Sequence, residues 1–127
     1  MKRVFAVALA CVVSFLGGAG AMWARQAQSA TRREPQFEND DVRVWKSIIM
    51  PNQPLSQHRH DHGRALIALT DGQLKVVDAN GKALDTYDWK AGKAYWLGVD
   101  PPGQTHADVN ETSKPIEVIV VELKKDR

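Results

Sequence analysis

Apolar residues fall into two regimes along this chain. Val4 to Leu16 is a continuous apolar run broken only by Ser14, whereas from Val42 onward apolar residues come in short groups set between polar and turn-forming ones. Val42, Val44 and Ile48-Ile49 form the first group, and Gln57–His62 adds a polar extended segment. Ala65–Thr70 follows, bounded by Gly63 and Asp71-Gly72, and then Gln73–Asp78, closed by the hairpin signal Asn80-Gly81. Thr86–Trp89, Tyr95–Leu97, His106–Asn110 and Ile116–Leu123 complete the series. Beyond the leader no stretch of about a dozen residues repeats its apolar positions every 3.6 residues, so helices are not expected. Short strands recurring about every ten residues between turn signals predict an all-β sandwich or barrel, with residues 36–127 as its one domain.

The N-terminal regime is a targeting pattern. Lys2 and Arg3 precede the apolar run, and Gly17-Gly18-Ala19-Gly20-Ala21 closes it with small residues. That order predicts a secretory signal over residues 1–21, cleaved after Ala21, and a secreted or periplasmic protein. Its rival is an uncleaved membrane anchor, because no charge occurs between Arg3 and Arg25. Cys11, the chain's one cysteine, lies in the apolar run and is read as part of the leader. Residues 22–35, rich in Ala, Gln, Arg and Ser without apolar period, are read as a flexible tail.

Composition narrows the classes further. The 127 residues suit one domain, and 43% hydrophobic with 25% charged residues is ordinary for a globular chain. The net charge is +2, and removing the leader takes Lys2 and Arg3 with it, leaving a formally neutral chain. No basic surplus points to nucleic acid, and a membrane partner is expected only if the leader stays attached. A lone cysteine excludes an internal disulfide framework and a cysteine-based zinc site.

The chemistry concentrates in two places. His58, His60 and His62 lie in Gln57-His58-Arg59-His60-Asp61-His62-Gly63-Arg64, and His106 lies in Pro101-Pro102-Gly103-Gln104-Thr105-His106-Ala107-Asp108-Val109-Asn110. These are all four histidines of the chain. On a strand, alternation puts His58 and His60 on one face, one pleat apart, so both imidazoles can reach one transition-metal ion. His62 joins them only if the strand continues; otherwise it is a turn residue facing solvent. Asp108 shares a face with His106 and Asn110, which makes it a fourth ligand, a support for one, or a solvated carboxylate. Arg64 holds an anionic substrate if it points inward, or pairs with Asp61 and solvent if it points outward. Trp45, Trp89, Tyr95 and Trp96 are expected in the core and cavity lining. Asn110-Glu111-Thr112 matches the glycosylation pattern by chance overlap with the second segment.

Together the two segments resemble the cupin superfamily, whose motifs run G-x5-H-x-H-x3,4-E-x6-G and G-x5-P-x-G-x2-H-x3-N. His58, His60 and Gly72 match the first; Pro101, Gly103, His106 and Asn110 match the second, with Gly92 as a more distant opening glycine. The resemblance is to small single-domain, quercetin-dioxygenase-like members and extends from Val42 to Leu123. It implies a double-stranded β-helix, or jelly-roll barrel, and a divalent transition metal (Fe, Mn, Zn, Ni or Cu) held by His58, His60 and His106. Two departures stand out. Asn52-Gln53 replace the opening glycine, and Ala65 or Arg64 replaces the ligand glutamate. Three-histidine sites exist in the superfamily, for example in thiol dioxygenases. The resemblance therefore implies a dioxygenase or isomerase-type enzyme acting on a small organic substrate, a non-catalytic ligand- or metal-binding module, or a structural protein with a vestigial site. Homodimers are a family habit.

Overall fold

The computed structural model describes residues 29–125. Eight strands occur among them, with no helix: β1 (Arg32–Glu38), β2 (Val42–Ile49), β3 (Arg64–Ala68), β4 (Gly72–Val77), β5 (Ala83–Trp89), β6 (Ala94–Leu97), β7 (Ala107–Val109) and β8 (Ile116–Leu123). They form two antiparallel sheets, one of five strands in the order β1-β2-β8-β3-β6 and one of three in the order β5-β4-β7. The leader, residues 1–21 with Cys11, lies outside the described residues.

Alternation explains which faces meet. β3 reads buried–intermediate–buried along its whole length, and β8 does the same from Ile116 to Val120. β8 is flanked on both sides, by β2 and β3, so its outward residues are partly covered as well. The inward residues form one core around Trp45, Ile49, Leu66, Leu74, Trp89, Ile116, Val118 and Val120. Asp78 shapes the hairpin between β4 and β5, its carboxylate accepting from the backbone N–H groups of Asn80 and Lys82.

Three sequence expectations need correction. β1 begins at Arg32, inside the stretch read as a tail. As an edge strand it needs only the backbone of β2, and its mostly exposed side chains leave no apolar period to read. Gln57–His62 is not a strand: only His58 bridges a neighbour, His106, and the chain bends at Asp61-His62. Trp96 is 63% exposed and stays out of the core, although it does line the barrel cavity. It pairs with Ala65 on the outer face, and its ring lies over Gly63, where a Cβ would collide with it.

The missing opening glycine also has a structural answer. Asn52 takes a positive φ of 55°, a left-handed conformation that asparagine tolerates better than most residues. This turn carries the chain from β2 to the side of β7, where Asn52 N–H donates to the Asn110 carbonyl at 2.8 Å and Leu55 N–H to that of Asp108 at 3.0 Å. Asn110 is fully buried; its amide donates to the carbonyls of Ile49 and Lys114, and its Oδ1 accepts from Thr112. That enclosure agrees with reading the glycosylation pattern as chance. Asn52→Val should destabilise the protein by about 1–2 kcal/mol, the cost of a β-carbon in the left-handed region, whereas Asn52→Gly should not. Paired chemical denaturation curves check the contrast.

Candidate metal centre

His58, His60 and His106 meet at one end of the barrel, with one ring nitrogen from each within 4.8 Å of the others. Ring centroids are separated by 5.0 Å (His58–His60), 4.4 Å (His58–His106) and 5.6 Å (His60–His106). The two chain segments are tied through the histidine backbones themselves. His58 N–H donates to the His106 carbonyl at 2.9 Å, and His106 N–H donates back at 2.8 Å. Arg59 adds a clamp, with Nη1 on the Pro101 carbonyl at 2.9 Å and Nε on Asp61. His60 reaches the cluster without strand geometry, because Asp100 Oδ2 accepts its backbone N–H at 2.6 Å.

Each imidazole faces an oxygen through Nδ1. The Ser56 carbonyl lies 2.7 Å from His58 Nδ1, Glu122 Oε2 lies 2.6 Å from His60 Nδ1, and Asp100 Oδ2 lies 3.2 Å from His106 Nδ1. A carbonyl or carboxylate oxygen only accepts, so Nδ1 of His58 and of His60 is assigned the proton and Nε2 of each keeps its lone pair. His58 Nε2 is buried with no hydrogen-bond partner. The nearest group to that lone pair is Asp108, whose Oδ2 is 3.6 Å away; its Oδ1 is 3.9 Å from His106 Nε2. An unpartnered buried nitrogen among three oriented imidazoles, beside a carboxylate, is a donor set that fits a divalent transition metal.

The electrostatics favour the neutral form of His58 and His106 and the charged form of Glu122. Burial pushes His58 down to about 4, against the Ser56 carbonyl and Asp108, and burial also lowers His106. Burial acts to raise Glu122, but the hydrogen bond from His60 and the nearby cations outweigh it, so its pKa is lowered. Arg33 lies over the Trp45 ring, 5.2 Å from its centroid, and Trp45 stands parallel to His60.

The other sequence candidates divide. Asp108 is at the site. His62 is half-buried in the bend and outside the cluster, because the chain turns before alternation can carry it inward. Arg64 is 6% exposed and lines a barrel cavity of about 470 Å³, so it points inward, and it is Arg59 that pairs with Asp61. Sequence reasoning missed Glu122 and Asp100. Glu122 had a signal: Ile116, Val118, Val120 and Glu122 share one face of β8, so the first polar member of that row meets the site. Asp100 lies in a loop, where no period marks it.

No protein-family model and no curated protein matches the chain. Solved structures do match. A cupin domain from Bordetella pertussis aligns with a TM-score of 0.65 at 21% identity, over 76% of this chain and 95% of that one. A double-stranded beta-helix protein from Klebsiella pneumoniae aligns at 0.55 and 23%, over 74% and 76%. An RmlC-like cupin family protein from Methanocaldococcus jannaschii aligns at 0.56 and 14%, over 75% and 81%. These likenesses establish the fold: the chain adopts the cupin double-stranded β-helix.

The folded state holds His58 neutral below the pH at which an unfolded histidine charges. Stability is therefore complete above about pH 6.5 and falls as the pH drops through 6.5 toward 4. Melting temperatures of metal-free protein across that window should decline, and His58→Leu should flatten the decline.

Proposed function

On the premise of a cupin fold, we propose that the protein binds one divalent transition metal (Fe, Mn, Zn, Ni or Cu) through Nε2 of His58, His60 and His106. Asp108 supplies a fourth donor in place of the absent glutamate. The observation that carries this reading is the shared orientation of the three rings: every Nδ1 faces an oxygen, and the buried His58 Nε2 has no partner. The negative charge that three neutral ligands lack stands behind them, on Glu122 and Asp100. Those carboxylates hold the imidazoles in one tautomer and raise their basicity.

The reaction class that suits the site is a dioxygenase or isomerase-type conversion of a small organic substrate in the barrel cavity. A bound ion supplies Lewis-acid polarisation or a common seat for dioxygen and substrate. The leader read in residues 1–21 directs this chemistry to the periplasm or the exterior. A second reading, a module that binds ligand or metal without turnover, is favoured by one feature: neither Ala65 nor Arg64, the two positions where the motif's ligand glutamate can fall, is a carboxylate, and Arg64 faces inward. Oxygen uptake with flavonoids, diketones or thiols separates the two.

Metal titration tests the centre itself. Wild-type protein should take up one Co(II) per chain with visible d–d absorption, and His106→Ala should abolish it. Glu122→Gln should weaken uptake about 10–100-fold, the usual effect of removing a ligand's orienting partner. Asp108→Asn should shift the Co(II) band. A wild-type protein that binds none of Fe, Mn, Zn, Ni, Cu or Co overturns the reading.

A further inference from the structure

Arg64 stands in an unusual position. It is the first residue of β3 and faces the barrel interior, with 6% of its surface exposed. Nη1 donates to the Gly98 carbonyl at 2.9 Å, the one hydrogen bond of the guanidinium among the described residues. No carboxylate among them lies within ion-pair distance of it. The nearby acids are committed elsewhere. Glu122, its cross-strand partner, faces His60 Nδ1, and Asp100 faces His60 N–H and His106. Guanidinium remains charged in proteins, and an enclosed charge is ordinarily met by a direct counter-charge.

Two further features of the same cavity point the same way. Trp89, 2% exposed, has an indole N–H with no acceptor. It stacks on Tyr87, and Trp89, Tyr87 and Arg64 all line this one cavity. The charged lining comprises Arg33 and Arg64 against Asp85, Asp100 and Asp108. It is net negative by one when empty, and a divalent ion makes it net positive. Beside polar side chains such as Ser47, Gln104 and the histidines, one stretch of the wall is apolar, from Leu66, Leu74, Val76, Val118 and Val120.

We propose that the cavity binds a small organic anion, its carboxylate on the Arg64 guanidinium and its apolar body against the Leu66–Val118–Val120 wall. This rests on the metal reading in one respect: a seated dication raises the affinity for the anion. An inward cation beside a site that lacks the motif's ligand carboxylate thus moves negative charge from the protein to its guest.

Benzoate and benzamide, alike in shape but not in charge, are the probes. Calorimetric titration of metal-free and Co(II)-loaded wild type should show benzoate binding tighter than benzamide by about tenfold or more, the worth of a charge-assisted pair. Arg64→Met should abolish that preference while benzamide binding stays unchanged. Arg64→Lys should keep part of it, as a point charge without the fork. Circular dichroism and melting temperature verify each variant's fold, and Arg64→Lys and Arg64→Gln carry the comparison if Arg64→Met does not fold. The proposal is overturned if wild type in both metal states prefers benzoate no more than benzamide, or if a folded Arg64→Met retains the preference. Failure of Co(II) uptake would defeat the metal reading alone, because the benzoate–benzamide contrast on metal-free protein still decides the role of Arg64.

Discussion

The reciprocal backbone hydrogen bonds between His58 and His106 are the constraint on which the site depends. They join segments 48 residues apart at the two residues whose side chains must meet. A bridge of this kind sets the separation of the backbones, and the ring separation then follows from two short side chains. The bridge is the last rung of an irregular ladder that runs from Asn52–Asn110 through Leu55–Asp108 to His58–His106. A loop segment thereby acquires the placement accuracy of a strand without its regularity.

The charge arrangement follows the common logic of a histidine-rich centre. Neutral imidazoles tolerate burial because their polar atoms are satisfied on one side and left as lone pairs on the other. The carboxylates stand one bond network back, at Glu122 and Asp100, where they orient the rings. Arg64 and Glu122 are register partners at the same end of the barrel, and Glu122 turns to His60 instead of Arg64. That choice keeps His60 in place and leaves the guanidinium facing the cavity. The cation and the carboxylate that orients His60 are thus supplied by adjacent strands, β3 and β8, whose inward residues also form part of the apolar wall. A buried ion pair between them would gain little after desolvation.

Loop chemistry holds these parts at fixed distances. Asn110 fastens the end of β7 to the end of β2 and to the turn before β8 through its buried amide. Gly72 admits the Ile116 side chain against its backbone, within 2.6 Å of where a Cβ would stand, so β4 packs tightly against the start of β8. Both motif residues therefore serve packing rather than chemistry, as structural members of the frame around the histidines.

The sequence by itself determined strands β2 to β8, the positions of the turns and the two histidine-bearing segments. Each of these is written locally, in alternation along β3 and β8 and in glycine- and proline-rich turns. The strand β1 was not legible, because an edge strand with exposed side chains carries no apolar period. Asp100 was not legible either, because a loop carboxylate has no pattern to announce it. Whether Arg64 faced the cavity or the solvent, and whether Asp108 or His62 joined the histidines, was decided only by tertiary structure. Those outcomes depend on where the chain bends after His60 and on which carboxylate each buried donor meets. Both are settled by contacts between residues tens of positions apart, for which no local period exists.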